Sequence, residues 1–512
     1  MPIPNGCSIN ASPSDESEYS EPLIENDAAP PQCCSARLNL AILMFFGFSV
    51  VYGLRVNLSV AMVAMVNATD PQPSENSSII DACPRPSGTE NTSQTLQQPE
   101  GIPQYPWDSK TQGWLLGAFF FGYLCTQIPG GYLAGHYGGS IFLGVGVLGT
   151  AALTLLTPLA AQLGSYWLFA LRALEGFGEG VTFPAMMAMW ARWAPPLERS
   201  RLMTLSGSGA NFGAFLALPL TGFICQKLGW PAVFYICGGA GCLWAVFWFV
   251  FVSDDPRTHR RISKEERDYI INSIGPQGTA HGWSVPLVHM LLSVPLWAII
   301  ITQMCSNWSY YTLLTSLPSY MNNILHFDLQ SNGFLSALPY LGGWLVSTLS
   351  GVAADALIER RTLSVTNVRK LFTFIGLLLP AVFLVAVSYA GCDHVLTVTF
   401  LTLSTTAGGV SASGVFMNQI DIAPRYAGFL LGITNTFGTI PGVVAPIVTG
   451  YFTEDHSLAG WRKVFWASAG ISFSGAIFYT IFGSGKIQPW AMTDEDSVET
   501  EGRRSRTITQ ST

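Results

Sequence analysis

Stretches of about 20 predominantly apolar residues recur along nearly the whole chain, the length an α-helix needs to cross a bilayer. Twelve can be placed, centred near residues 52, 122, 150, 178, 213, 242, 307, 344, 380, 405, 438 and 472. In lipid each backbone N–H and C=O must be satisfied inside the segment, so the pattern predicts an all-α polytopic membrane protein. Composition discriminates at one point: 11% of the 512 residues are charged, against about 25% in a soluble domain.

Basic residues orient the spans. With the N-terminus inside, 18 of the 25 Lys and Arg fall on the cytosolic side and five opposite, leaving Arg55 and Arg172 within spans. This is a positive-inside pattern. Residues 1–36 are polar and acidic, as in a cytosolic tail and not a cleavable signal peptide. The first long loop, 67–109, carries sequons at Asn67, Asn76 and Asn91, which suits a glycosylated lumenal or extracellular segment. Sequons at Asn57 and Asn307 lie inside spans and are read as coincidental; Asn10 is expected to stay unmodified in the cytosolic tail. No basic stripe with interleaved aromatics occurs, so nucleic acid is not an expected partner.

The expected layout is a tail to residue 36, a six-helix half over 37–253, a charged cytosolic linker over 254–290, a second six-helix half over 291–484 and a cytosolic tail over 485–512. A repeat at an offset of 220 supports the division: Gly113, Gly122 and Gly131 align with Gly333, Gly342 and Gly351. Two related halves around a cavity follow, although close helix packing alone would also account for such glycines. Cys83 and Cys392 fall on the lumenal side, where a disulfide between the halves is permitted. Cys33 and Cys34, just before the first span, are candidate palmitoylation sites.

Charges at bilayer depth are costly and face a partner or a watery cavity. The run RALEGFGEG places Arg172, Glu175 and Glu179 near one side of a helix. Arg172 and Glu175 can neutralise one another, whereas Glu179 has no positive partner in its own helix. A buried carboxyl that gains and loses a proton changes local charge by one unit, which makes Glu179, ahead of Glu175, a candidate proton carrier. Arg55, central in span 1, offers a planar fork matched to a carboxylate or phosphate. Asn307, Tyr310, Tyr311 and Asn435 are candidate hydrogen-bonding groups for a hydroxylated ligand, or else satisfied interhelical contacts. No metal-ligand spacing, P-loop, nucleophile elbow or nucleotide fingerprint appears, so neither enzymatic activity nor a metal or cofactor is expected.

The stretches CCSARLNLAI, LRVNLSVAMV, TQIPGGY, RALEGFGEGVTFPAM, WAPPLERS and DIAPRYAGFLLGITNTFGTIPG resemble the major facilitator superfamily, in the anion-transporter family that includes sialin and the vesicular glutamate transporters. The resemblance runs from about residue 33 to 490, and the loop and first-span residues are most similar to sialin. It implies twelve helices in two halves and proton-coupled export of sialic acid, other acidic sugars or monocarboxylates from lysosomes by rocker-switch alternating access. It implies Arg55 as the contact for the substrate carboxylate and Arg172, Glu175 and Glu179 as the coupling network. Ser306 stands where the glutamate transporters carry an arginine, which favours a monoanion. Met187 and Gln419 stand where many relatives carry histidines. The superfamily's loop motif is degraded at Gly135 and Gly139 but keeps Gly351 and Asp355 in the second half, so the gating charge is expected to be asymmetric. Leu23-Ile24 resembles an acidic dileucine signal read by a sorting adaptor, with Tyr19 at the usual acidic position. Rival readings are an amino-acid (glutamate/aspartate) or phosphate/urate-type anion carrier driven by membrane potential, at the plasma membrane or in synaptic-type vesicles, and a non-transporting membrane sensor or scaffold.

Overall fold

The protein is described by a computed structural model covering residues 35–66, 101–195, 198–274, 286–327, 329–423 and 426–491. Seventeen α-helices occur among the described residues: α1 (Ala36–Met65), α2 (Ser109–Tyr137), α3 (Gly139–Leu155), α4 (Thr157–Leu163), α5 (Ser165–Glu179), α6 (Thr182–Trp193), α7 (Arg199–Leu228), α8 (Trp230–Phe251), α9 (Lys264–Ile274), α10 (Leu287–Leu291), α11 (Val294–Asn323), α12 (Leu329–Glu359), α13 (Val365–Ala390), α14 (His394–Gly408), α15 (Asn418–Ile422), α16 (Ala427–Phe452) and α17 (Leu458–Phe482). Every expected span centre falls inside a helix of its own. By length and composition alone eight helices suffice to cross a membrane, or nine when α3 and α4 count as one span bent by 48°. The polar helices α2, α5 and α11 fall short of that test.

Local chemistry sets the helix ends. Asp108 accepts from the Thr111 amide at 3.0 Å and Ser457 from Gly460 at 3.1 Å, each satisfying an orphan donor of a first turn. The hydrogen bonds from Thr111 hold the Asp108 carboxyl below its ordinary range, so this cap persists in mildly acidic surroundings and weakens only as pH falls through that lowered value. Pro158 sits in the first turn of α4, where its missing N–H costs nothing but α3 cannot continue straight.

Helix packing repeats between the halves. α1 lies on α7 as α11 lies on α16, α3 on α8 as α13 on α17, and α2 on α5 as α12 on α14. The aligned glycines occupy matching places. A Cβ on Gly122 would strike the Ala173 carbonyl of α5, and one on Gly342 would strike Thr406 of α14. Gly113 meets the Pro446 carbonyl of α16, and Gly333 meets the Leu218 carbonyl of α7. The first two contacts hold each half together. The second two join the halves, along two equivalent seams.

Side-chain bonds close the α2–α16 seam at the end of the bundle that carries residues 101–108. There Ser109 Oγ donates to the Thr453 carbonyl at 3.2 Å, and Lys110 pairs with Glu454 at 2.7 Å. At the opposite end α9, in the segment expected to link the halves, is held to α1. Buried Arg37 donates through Nε to Glu266 at 3.1 Å, and the same carboxylate accepts from the Ala36 amide at 2.9 Å. Replacing Gly122 by Leu should force α2 from α5, costing about 1–3 kcal/mol and lowering thermal stability in detergent. Gly113→Leu should instead leave both halves folded and raise thiol labelling of a Ser316→Cys reporter beside the seam.

Candidate functional site

Helix α5 is amphipathic in the inverse sense. Its buried stripe is Leu168, Leu171, Arg172, Glu175, Gly176 and Glu179, while Trp167, Leu174 and Phe177 face outward. A stripe of that kind is stable in a membrane only if each charge finds a partner. The close approach of α2, with Gly176 against the Phe119 carbonyl, brings the stripe to the centre of the first half, facing α1.

The charges resolve into two pairs. Arg55 of α1 donates through Nε to Glu179 Oε1 at 2.9 Å and contacts the same oxygen through Nη2. Arg172 Nη1 donates to Glu175 Oε2 at 2.6 Å, and Thr157 donates to the other oxygen at 3.2 Å. Arg172 also donates to the backbone carbonyls of Arg55 at 3.1 Å and Leu54 at 3.4 Å, tying the second pair to the helix that carries the first. Arg55 is 6% exposed and both glutamates 0%. Glu179 Oε2 and Arg172 Nε have no hydrogen-bond partner among the described residues. Aromatic rings enclose the Arg55 guanidinium: its central carbon lies 4.4 Å from the Tyr52 centroid, 4.7 Å from Tyr123 and 5.0 Å from Phe119. Such faces attract a cation without competing for its hydrogen bonds.

Other expected residues are placed differently. Asn307 donates to the Gly438 carbonyl at 2.8 Å, and Asn435 to Gln127 Oε1 at 2.7 Å. The first contact ties α11 to α16 and the second crosses between the halves, so both asparagines are engaged in interhelical bonds. Tyr311 stacks obliquely on Phe120 at 4.7 Å, with Tyr310 against Tyr311 and Tyr340; together they form an aromatic layer beside Arg55. Asp355 is exposed on α12, away from the buried charges. Met187 packs among core residues of α1 and α6, and Gln419 is buried beside Thr434 Oγ1 at 3.1 Å. Cys392 is disulfide-bonded. Cys83, the sequons Asn67, Asn76 and Asn91, and the Leu23-Ile24 pair lie outside the described residues.

Sequence reasoning missed the aromatic enclosure, because GAFFFGY reads as ordinary lipid-facing helix. It also missed Gln127, which donates to Thr439 at 2.9 Å while accepting from Asn435. A glutamine among apolar neighbours in span 2 was the available signal.

Two pseudo-equivalent helical halves with compensated charges at mid-depth are the architecture of a secondary transporter. The chain matches the Major Facilitator Superfamily over residues 43–446. It is 53% identical to human sialin, covering 91% of this chain and 93% of sialin, and 50% identical to sheep sialin, covering 94% and 97%. Human "Probable small intestine urate exporter" is 40% identical over 90% of this chain and 92% of its own length. A bacterial homologue of the human lysosomal transporter Spinster, solved inward-facing and unoccupied, superposes with a TM-score of 0.66 over 89% of this chain and 99% of that one, at 14% identity. This multi-pass membrane chain therefore belongs to the sialin-like anion-transporter family of the major facilitator superfamily. Its relatives are transporters, not enzymes.

Removing one member of a buried pair leaves an uncompensated charge, which costs about 3–5 kcal/mol. Arg55→Met and Glu179→Leu should each lower the unfolding temperature in detergent, and the double variant should recover most of the loss. Additive losses would mean that the two side chains are stabilised independently.

Proposed function

We propose that the chain is a proton-coupled secondary transporter that exports sialic acid and other acidic sugars or monocarboxylates from lysosomes by alternating access. The observation that carries this reading is the Arg55–Glu179 pair beside a cavity. A guanidinium held by one carboxylate oxygen can exchange that partner for the carboxylate of a ligand. Protonation of Glu179 removes its claim on Arg55, and the free Oε2 is the atom at which the proton is taken up. An anion and a proton then occupy the site together in place of one internal ion pair. Glu175 and Arg172 keep the neighbouring charge balanced while this happens. Asp355, exposed on α12, serves as a gating charge at the opposite end from residues 101–108.

Several sequence features support the setting. Relatives named sialin are similar over almost the whole chain. Ser306 leaves the second half without a buried arginine there, which suits a ligand with one carboxylate. In this reading both termini are cytosolic, loop 67–109 is lumenal and glycosylated at Asn67, Asn76 and Asn91, Cys83 pairs with Cys392, and Leu23-Ile24 binds a sorting adaptor. A second reading, a urate- or phosphate-type carrier driven by membrane potential, is favoured by Met187 and Gln419, which do not titrate.

Uptake into proteoliposomes separates them. A gradient acidic on the loading side should accelerate sialic acid under the first reading, whereas voltage should drive glutamate, urate or phosphate under the second. Arg55→Ala should abolish sialic-acid uptake with expression intact. Glu179→Gln should remove its pH dependence while sparing exchange; unchanged pH dependence would place the proton site elsewhere. For targeting, Leu23→Ala with Ile24→Ala should move the protein to the cell surface, read by surface biotinylation.

A further inference from the structure

Two cavities lie in line between the 101–108 end and Arg55. The inner one touches Arg55 and Arg172 and has aromatic walls. The outer one lies between α2, α11, α16 and α17. Both are narrow, admitting in this conformation no more than a water-sized occupant. Leu116 belongs to both walls, and Thr315 of the inner cavity is followed directly by Ser316 of the outer one. The two spaces are thus consecutive chambers of one path, separated at Leu116.

Their chemistry differs. The outer chamber is lined by Gln112, Ser316, Ser319, Asn323, Thr449 and Trp461, and no charged side chain contributes. Gln112 Nε2 is engaged by the Trp107 carbonyl at 3.0 Å, which leaves its side-chain oxygen to accept. Trp461 is 2% exposed, yet its indole N–H has no acceptor among the described residues. A buried donor without a protein partner beside hydroxyls and amides makes this a chamber lined for polar contacts. Without a cation, the chamber offers nothing specific to a carboxylate. It matches a neutral group with many hydroxyls, each able to donate and accept. Because α2 and α16 supply opposite walls, parting their seam enlarges the chamber.

We propose that the outer chamber is a second binding site, for the uncharged polyhydroxyl portion of an acidic sugar, and that Leu116 is the septum between it and the carboxylate site at Arg55. This rests on the carrier reading above. The sugar meets the hydroxyl-lined chamber first, and its carboxylate passes Leu116 to reach the guanidinium. Gln112 and Leu116 are one helical turn apart, about 6 Å of rise, so one ligand can span both chambers.

The test compares the unmodified chain with Gln112→Ala/Ser319→Ala and with Leu116→Ala, and uses mannitol as a neutral polyol probe. In proteoliposomes loaded from the 101–108 side, the double variant should raise the KM for sialic acid about tenfold, as expected for a lost hydrogen bond or two, with maximal rate retained. Mannitol should inhibit the unmodified chain and lose that effect in the double variant. Leu116→Ala should raise the maximal rate without changing KM. Unaltered KM and unaltered mannitol inhibition in the double variant would overturn the proposal. Should the unmodified chain carry no sialic acid, the carrier reading fails by itself. The chamber is then judged by mannitol's thermal stabilisation of the purified protein: a stabilisation lost in the double variant supports it, and equal shifts in both overturn it.

Discussion

The bond between Arg55 and Glu179 is the interaction on which the rest of the arrangement depends. Neither side chain is tolerable alone at that depth, since an isolated charge in a low-dielectric interior costs several kcal/mol. The two side chains bridge helices that are not packed neighbours, so meeting requires the charged face of α5 to turn toward α1, and that face is set by the backbone contact of α2 with α5 at Gly122 and Gly176. The same approach delivers Phe119 and Tyr123 to the faces of the guanidinium. Arg172, reaching back to the α1 carbonyls, then fixes the height of one helix against the other. A single electrostatic requirement thus sets the geometry of three helices.

Packing and chemistry obey different symmetries. Equivalent glycines make equivalent contacts in the two halves, and the joining seams α2–α16 and α12–α7 are related in the same way. Among the described residues the buried charges at mid-depth all belong to the first half. In the second half the corresponding space holds the uncharged Asn307, Tyr310 and Tyr311, while its buried pair, Arg369 with Asp421, lies at the far end of α13. Duplicated scaffolding is cheap to preserve because glycine contacts depend only on backbone shape. Desolvated charge is expensive, so one copy of the site suffices.

The helices were readable from the sequence because spanning a bilayer is a constraint on length and polarity, and both are local. The charged stripe of α5 was readable for the same reason: Arg172, Glu175 and Glu179 are separated by one and two turns. The partner of Glu179 was not, since Arg55 lies 124 residues away and nothing local indicates which face of α1 it occupies. Asn307 and Asn435 could be read as ligand contacts or as satisfied interhelical contacts, because an asparagine's bonding capacity is visible in sequence and its saturation is not; the structure places both in interhelical bonds. The aromatic enclosure escaped notice because lipid and a cation both accept the same ring, one at its edge and the other at its face.

The Arg55–Glu179 and Arg172–Glu175 pairs sum to zero charge, and both sit in the half that contains α1 and α5. Rocking one half against the other therefore displaces no net charge through the membrane's electric field on account of these pairs. That field does about 2.3 kcal/mol of work on each elementary charge per 100 mV, and on these two pairs it does no net work. The buried pairs thus add nothing to the electrical signature of a transport cycle.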